Sequence, residues 1–398
     1  LTNYDNDLSL SRGDEMNARL IWAIILVVST TLGGALADTA EGHGRLVVAD
    51  GKQGLLSVID LETGTVVGRF TTPGPASVYP APGRQYAFAI HREQDRVSIL
   101  YSGLGLEDHG DHKDLVLQNP YIWATLHTGP KPTHFKSHGD SIVIYNDGDG
   151  TMAVFDSQKL GLVPDFVEIA TGAPDHGAPV AFNGQVLAGS LNRGVVDLFQ
   201  LDGKKLASFP GCPRLHGQAV LGTTVAYGCS DGVLLLEQKA DGFVPRKLTN
   251  PPGASPQTRV GTLVAHPSFP AFIGNFGQGL ARIGQEILPI PLLANPVSFN
   301  FDKDGQLVVL TSDGRLHTLE IATGRVKASL AVTGPIVRSG EGAVVPTLAL
   351  GDHTAYLTEP ATGQVLEIDL SEMKITRKFN VGGTPASVAW LYVEGARH

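Results

Sequence analysis

The stretch LLSVIDLETGTVVGRF, residues 55–70, is two short apolar runs hinged on Glu62-Thr63-Gly64, and it comes back twice. RLHTLEIATGRVKASL (315–330) and QVLEIDLSEMKITRKF (364–379) repeat it, and weaker copies lie in DGDGTMAVFD (147–156) and LNRGVVDLFQLDGKKLASF (191–209). Each copy reads as the last two strands of a unit, with DG, NG and TG pairs supplying the positive-φ residues that tight hairpins need. Units begin near Arg45, Pro75, Pro132, Asp175, Pro213, Pro256, Asn295 and Gly334. Four antiparallel strands recurring at a period of about 35–50 residues predict one all-β domain, a β-propeller. The count favours eight blades, with seven as the alternative. GPASVYP (74–80) opens the second unit, and TPASVAW (384–390) recurs at the C-terminus with no unit behind it. The first unit lacks an opening strand. The C-terminal segment is therefore expected to join the first blade and close the ring, which removes the exposed edges of a sheet protein.

Composition agrees with short strands and tight turns. Among 398 residues there are 48 glycines and 25 prolines, and only 17% of the chain is charged. A net charge of −9 speaks against nucleic acid as a partner, because displacing counterions requires a basic field.

The N-terminal region predicts the compartment. From Met16 the chain reads MNARLIWAIILVVSTTLGGALAD, with Arg19, an apolar core at 20–28 and a small-x-small end at Ala35-Leu36-Ala37. That is the pattern of a cleaved secretory signal, and its apolar run is too short for the roughly 20 residues of a membrane span. Periplasmic placement without stable membrane insertion follows. The expected organisation is an upstream segment at 1–15, a signal peptide at 16–37, a flexible N-terminus at 38–44 and a propeller at 45–398. His43, in the flexible part, is a candidate for assisting metal capture.

An oxidising compartment gives the two cysteines a meaning. In GCPRLHGQAVLGTTVAYGCSDG, Cys212 and Cys229 stand at the outer ends of two strand-like runs joined by a turn. A hairpin brings those ends together, so a disulfide is expected. A thiolate metal site is disfavoured, because the close CxxC spacing is absent.

First strands of propeller blades line the central channel, and three histidines recur at the blade period. KPTHFKSHGD places His134 at the start of a first strand, APDHGAPVAF places His176 at the matching point, and CPRLHGQAV places His216 there. Three imidazoles at one level near one channel mouth suit a metal such as zinc, which takes about four nitrogen or oxygen ligands. Asp175, beside His176, is a candidate fourth ligand or supporting partner. A single such histidine reads more simply as a buried residue satisfied by backbone groups; the register of all three favours the metal.

A second feature is EDHGDHKD at 107–114, inside the longest insertion, residues 102–120. Asp108, His109, Asp111 and His112 add candidate ligands. An insertion between blade strands emerges on one face of the disc, and near the three histidines it would cap the metal or deliver it.

The signal sequence, the propeller repeat, the EDHGDHKDL loop and the PTHF, PDHGAP and LHGQA segments resemble the AztD family of periplasmic zinc metallochaperones over essentially all of 45–393. The resemblance implies Zn(II) as the bound metal, a zinc-ligand role for His134, His176 and His216 with His109 and His112 as further candidates, and transfer to the solute-binding protein of a zinc ABC transporter. It also implies a metal carrier, expected as a monomer, rather than an enzyme. Two other readings stay open: a metal-dependent exported propeller enzyme of lactonase or hydrolase type, and an interaction scaffold without metal. The enzyme reading is weakened by the lack of paired carboxylates in the histidine-bearing segments and of a G-x-S-x-G element.

Overall fold

Eight four-stranded antiparallel sheets follow one another along the chain, as the repeat predicts. The structure, a computed structural model, describes residues 41–255, 258–338 and 343–395. The upstream segment and signal peptide expected at 1–37 lie outside these residues. The ring has eight blades; seven is excluded.

Each blade runs from the hub outward. The third blade consists of Pro132–His138, Ser141–Asn146, Thr151–Asp156 and Val167–Ala170, in that spatial order. The fourth begins with Gly177–Phe182 and the fifth with Gln218–Leu221. Apolar residues on both faces of each blade meet those of its neighbours. Val143, Tyr145 and Met152 of the third blade pack with Val186, Ala188 and Phe199 of the fourth. Leu187 and Leu198 of the fourth pack in turn with Val225 and Leu234 of the fifth. The core is therefore a circle of inter-blade seams, and each blade depends on its neighbours to bury its apolar faces.

The ring closes as expected. Pro385–Gly395 is the innermost strand of the first blade and pairs antiparallel with Glu41–Asp50, with Leu46 opposite Trp390 and Ala49 opposite Ser387. This pairing runs out to Glu41 opposite Gly395, so residues 41–44 are strand and not the flexible tail that the sequence suggested. His43 is buried at 3% exposure. Its Nε2 lies 2.6 Å from Asp60 Oδ2 and its Nδ1 3.1 Å from Glu62 Oε2. It is a closure residue, held inside the first blade by two carboxylates.

The 102–120 insertion is ordered as well. Leu104–Asp108 and Lys113–Leu117 form a separate two-stranded hairpin. Arg45 clamps its base by donating to the carbonyls of Ser102 at 2.6 Å and Gln118 at 2.9 Å. The hairpin rests against the end of the C-terminal strand. A Cβ at Gly395 would come within 2.9 Å of Leu115 N and 3.0 Å of Lys113 O, so only glycine lets the two approach so closely.

Strand alternation now fixes the two faces of the disc. Innermost strands all start at one face and end at the other, and the connection from third to fourth strand lies where the innermost strand ends. The hairpin joins Arg96–Tyr101 to Tyr121–Leu126, the third and fourth strands of the second blade. It therefore stands on the face opposite the leading ends of the innermost strands.

Candidate metal centre

His134 sits near the leading end of Pro132–His138, His176 directly precedes Gly177–Phe182, and His216 lies two residues before Gln218–Leu221. The three occupy matching points on adjacent innermost strands. Their rings converge: His134 Nε2 is 2.8 Å from His176 Nε2, and His176 Nε2 is 3.2 Å from His216 Nε2. All three donor atoms lie within 4.8 Å of one another. Nitrogens bound at 2.0–2.1 Å in a tetrahedral zinc site are about 3.3 Å apart, so these spacings approach those of a common ion.

The far side of each ring decides which nitrogen carries the proton. Asp147 Oδ2 lies 2.7 Å from His176 Nδ1, and the Gly261 carbonyl lies 2.6 Å from His216 Nδ1. Carboxylate and carbonyl oxygens only accept, so both rings must donate from Nδ1. Their Nε2 lone pairs are then bare and face one another at 3.2 Å. A proton on His134 Nε2 satisfies only part of that repulsion; a cation satisfies all of it.

Burial favours the neutral form at two of the three donors. Burial, then the neighbouring His176 and His216, push the His134 imidazole down to about 3. Burial likewise lowers His216, against the opposing pull of the Gly261 carbonyl. Burial alone would raise the Asp147 carboxyl, but the hydrogen bond and charge of His176 outweigh it and hold the group below the ordinary carboxylate range. Neutral imidazole is the metal-binding form.

Local structure explains why the rings are held here. The His216 loop is sewn to the second strand of its blade by the Cys212–Cys229 disulfide, by His216 N–H to the Gly228 carbonyl at 2.9 Å, and by Ser230 N–H to the Pro213 carbonyl at 2.9 Å. Asp175, only 7% exposed, accepts from His176 N–H at 2.7 Å, from Asn192 Nδ2 at 2.9 Å and from the Ser190 hydroxyl. Of the two roles open to it, this carboxylate fills the supporting one. It shapes the loop that presents His176.

The remaining sequence candidates lie elsewhere. His109 Nε2 is 3.1 Å from Asp114 Oδ2 and His112 Nε2 is 3.2 Å from Asp114 Oδ1. Asp111 pairs with His112 at 2.7 Å, and Asp108 accepts from Gly110 N–H at 2.8 Å. All belong to the hairpin on the opposite face, so the expectation that this segment caps the three histidines is corrected by the strand count. Asp147 was missed in the sequence because DGDG at 147–150 reads as a turn. A cavity of about 820 Å³ opens in the hub among Arg84, Asn300, Asp352 and Trp390, and none of His134, His176 and His216 lines it.

No family model matches the chain. It is 28% identical to the zinc chaperone AztD of Citrobacter koseri, with 96% of this chain and 95% of that protein aligned. Its fold is similar to the crystal structure of Citrobacter koseri AztD, with a TM-score of 0.82 at 27% identity, over 90% of this chain and all of that one. The apo structure of the same protein superposes with a TM-score of 0.79 at 26% identity and the same coverage. The resemblance seen in the sequence thus extends over the whole propeller, in sequence and in fold.

Proposed function

We propose that the chain is a periplasmic zinc carrier, which takes up Zn(II) on His134, His176 and His216 at one propeller mouth and hands it to the solute-binding protein of a zinc ABC transporter. The observation that carries this reading is the convergence of three imidazoles on one point, two of them, His176 and His216, held from behind by acceptors at Nδ1 so that Nε2 faces the cluster. Likeness to a protein named a zinc chaperone supports the choice of metal. Nitrogen donors alone would rank Cu(II) above zinc.

Three imidazole donors suit a cargo better than a structural ion. Structural zinc sites are closed by four protein ligands, whereas three leave a position for an acceptor's ligand to enter before the others let go. The nearby Asp147 carboxylate engages His176 Nδ1 through Oδ2 and so orients that ring. In this reading residues 16–37 direct export and are removed, and the closed ring acts as a monomer. The hairpin residues Asp108, His109, Asp111 and His112 are not needed for holding the cargo.

Zinc titration against a competing chelator tests it. His176→Ala is expected to weaken binding by more than the roughly 10–100-fold typical of losing an orienting partner. His353, an exposed residue beside Asp304 on a different blade, is the comparison, and His353→Ala is expected to change nothing. Equal effects from the two substitutions would remove the reading.

A further inference from the structure

Beyond the carboxylates of Asp147 and Asp175, the histidine cluster has cations close by, which is an odd setting for a cation site. Most charges near this mouth are paired: Arg92 with Glu93 and Asp147, Lys131 with Glu93, and Arg193 with Asp197. Arg214 and Arg259 are the exceptions, with no carboxylate partner among the described residues. Arg214 is exposed and stands two residues before His216. Its backbone is in the left-handed region, at φ +50°, an uncommon and costly conformation for a residue with a side chain. Arg259 approaches from the other side: its Nε is 3.6 Å from where a Cβ on Gly261 would stand, and the Gly261 carbonyl is the acceptor for His216 Nδ1. The two guanidiniums thus lie near one ligand residue and near enough to repel each other, with no counter-charge paired to either among the described residues. A third cation, Lys136, also has no carboxylate partner among the described residues and lines a channel chamber of about 220 Å³ together with His138 and Asn300.

We propose that the rim formed by Arg214 and Arg259 beside His216 is the docking surface for an acidic segment of the acceptor protein, whose carboxylates pair with the two guanidiniums and reach the open position above the histidines. Charge complementarity selects this occupant. Guanidinium forks match carboxylates bidentately. A chain of net charge −9 would otherwise repel an acidic partner, so a local cationic rim gives both attraction and orientation. The inference rests on the carrier reading for its purpose, but docking itself can be measured without any metal.

The test uses metal-free full chain and a fluorescently labelled peptide of alternating aspartate and glycine, followed by anisotropy at low ionic strength. The peptide is expected to bind, to weaken steeply with added salt, and to lose at least about tenfold in affinity against Arg214→Glu/Arg259→Glu. The milder pair Arg214→Gln/Arg259→Gln should show the same direction of change, which guards against a folding defect. Arg325→Glu, on an outermost strand, should bind as the unsubstituted chain does. Equal binding by the doubly substituted chain, or equal binding of the asparagine–glycine peptide, would overturn the proposal. Peptide docking in a chain that never takes up zinc would sink the carrier reading and leave the surface standing. Zinc uptake with no docking would do the reverse.

Discussion

His176 shows how much of this site depends on what lies behind a ligand. Its Nε2 meets the other two histidines while its Nδ1 donates to Asp147 at 2.7 Å, so the carboxylate sets the tautomer that a metal needs. Asp147→Ala removes that acceptor and frees the ring to turn or to protonate Nε2 instead. Zinc affinity is expected to fall about 10–100-fold with the fold intact, as seen by competitive titration beside an unchanged far-ultraviolet dichroism spectrum. Unchanged affinity would mean that the ring is fixed by packing alone. The three histidines themselves were legible in the sequence, because separations of 42 and 40 residues equal the blade period. Asp147 was not. It reaches His176 from the turn after the second strand of the preceding blade, and that contact follows from the angle between blades, which no local pattern encodes.

Elements carry a different kind of information, namely which face of the disc a segment occupies. The insertion at 102–120 was conspicuous from its composition, yet its place depends on parity: it follows a third strand, so it must emerge where innermost strands end. Once the strand limits are known, the assignment needs nothing more. Gly395 packed against Lys113 and Leu115 fixes the same face independently. Replacing residues 105–116 with a short glycine turn should therefore leave zinc affinity at the three histidines within about twofold, since distant sites without shared partners act additively. Leu106 and Leu115 would no longer pack against the seam between the first two blades, so some loss of thermal stability is expected alongside. A large drop in affinity in competitive titration would show that the hairpin influences the cluster through the ring. The tail at 41–44 teaches a related lesson. Glu41-Gly42-His43-Gly44 has a loop-like composition, but an eleven-residue C-terminal strand offers it a full ladder, and tertiary pairing overrides local propensity.

At the scale of the whole molecule, a ring built from eight inter-blade seams holds several histidines in their neutral form. His91 is fully buried, with Nδ1 2.7 Å from the Gly74 carbonyl and Nε2 3.0 Å from the Ser98 hydroxyl. That arrangement uses one donor and one acceptor, so it fits neutral imidazole. Burial depresses His91, and it does the same to His134, His138, His216 and His317. Above about pH 6.5 these rings are neutral in both the folded and the unfolded chain, and the folded state pays no protonation penalty. As pH falls below that value the unfolded chain takes up protons that the folded chain refuses, so stability present above it is lost towards the depressed folded values. Each such histidine contributes at most about 1.4 kcal/mol per pH unit in that window. Asp60, Asp147 and Asp197 act with the same sign at lower pH, because native hydrogen bonds and charges hold their carboxyls below the ordinary range despite burial. The denaturant midpoint of the metal-free protein is therefore expected to drop clearly between about pH 7.5 and about pH 5, with a slope corresponding to more than one proton taken up on unfolding. His91→Gln should lower stability at the higher pH but flatten that slope, because the variant has one fewer group to protonate. A midpoint that is independent of pH across this range, or a slope untouched by His91→Gln, would show that the ring tolerates charged imidazoles in its seams.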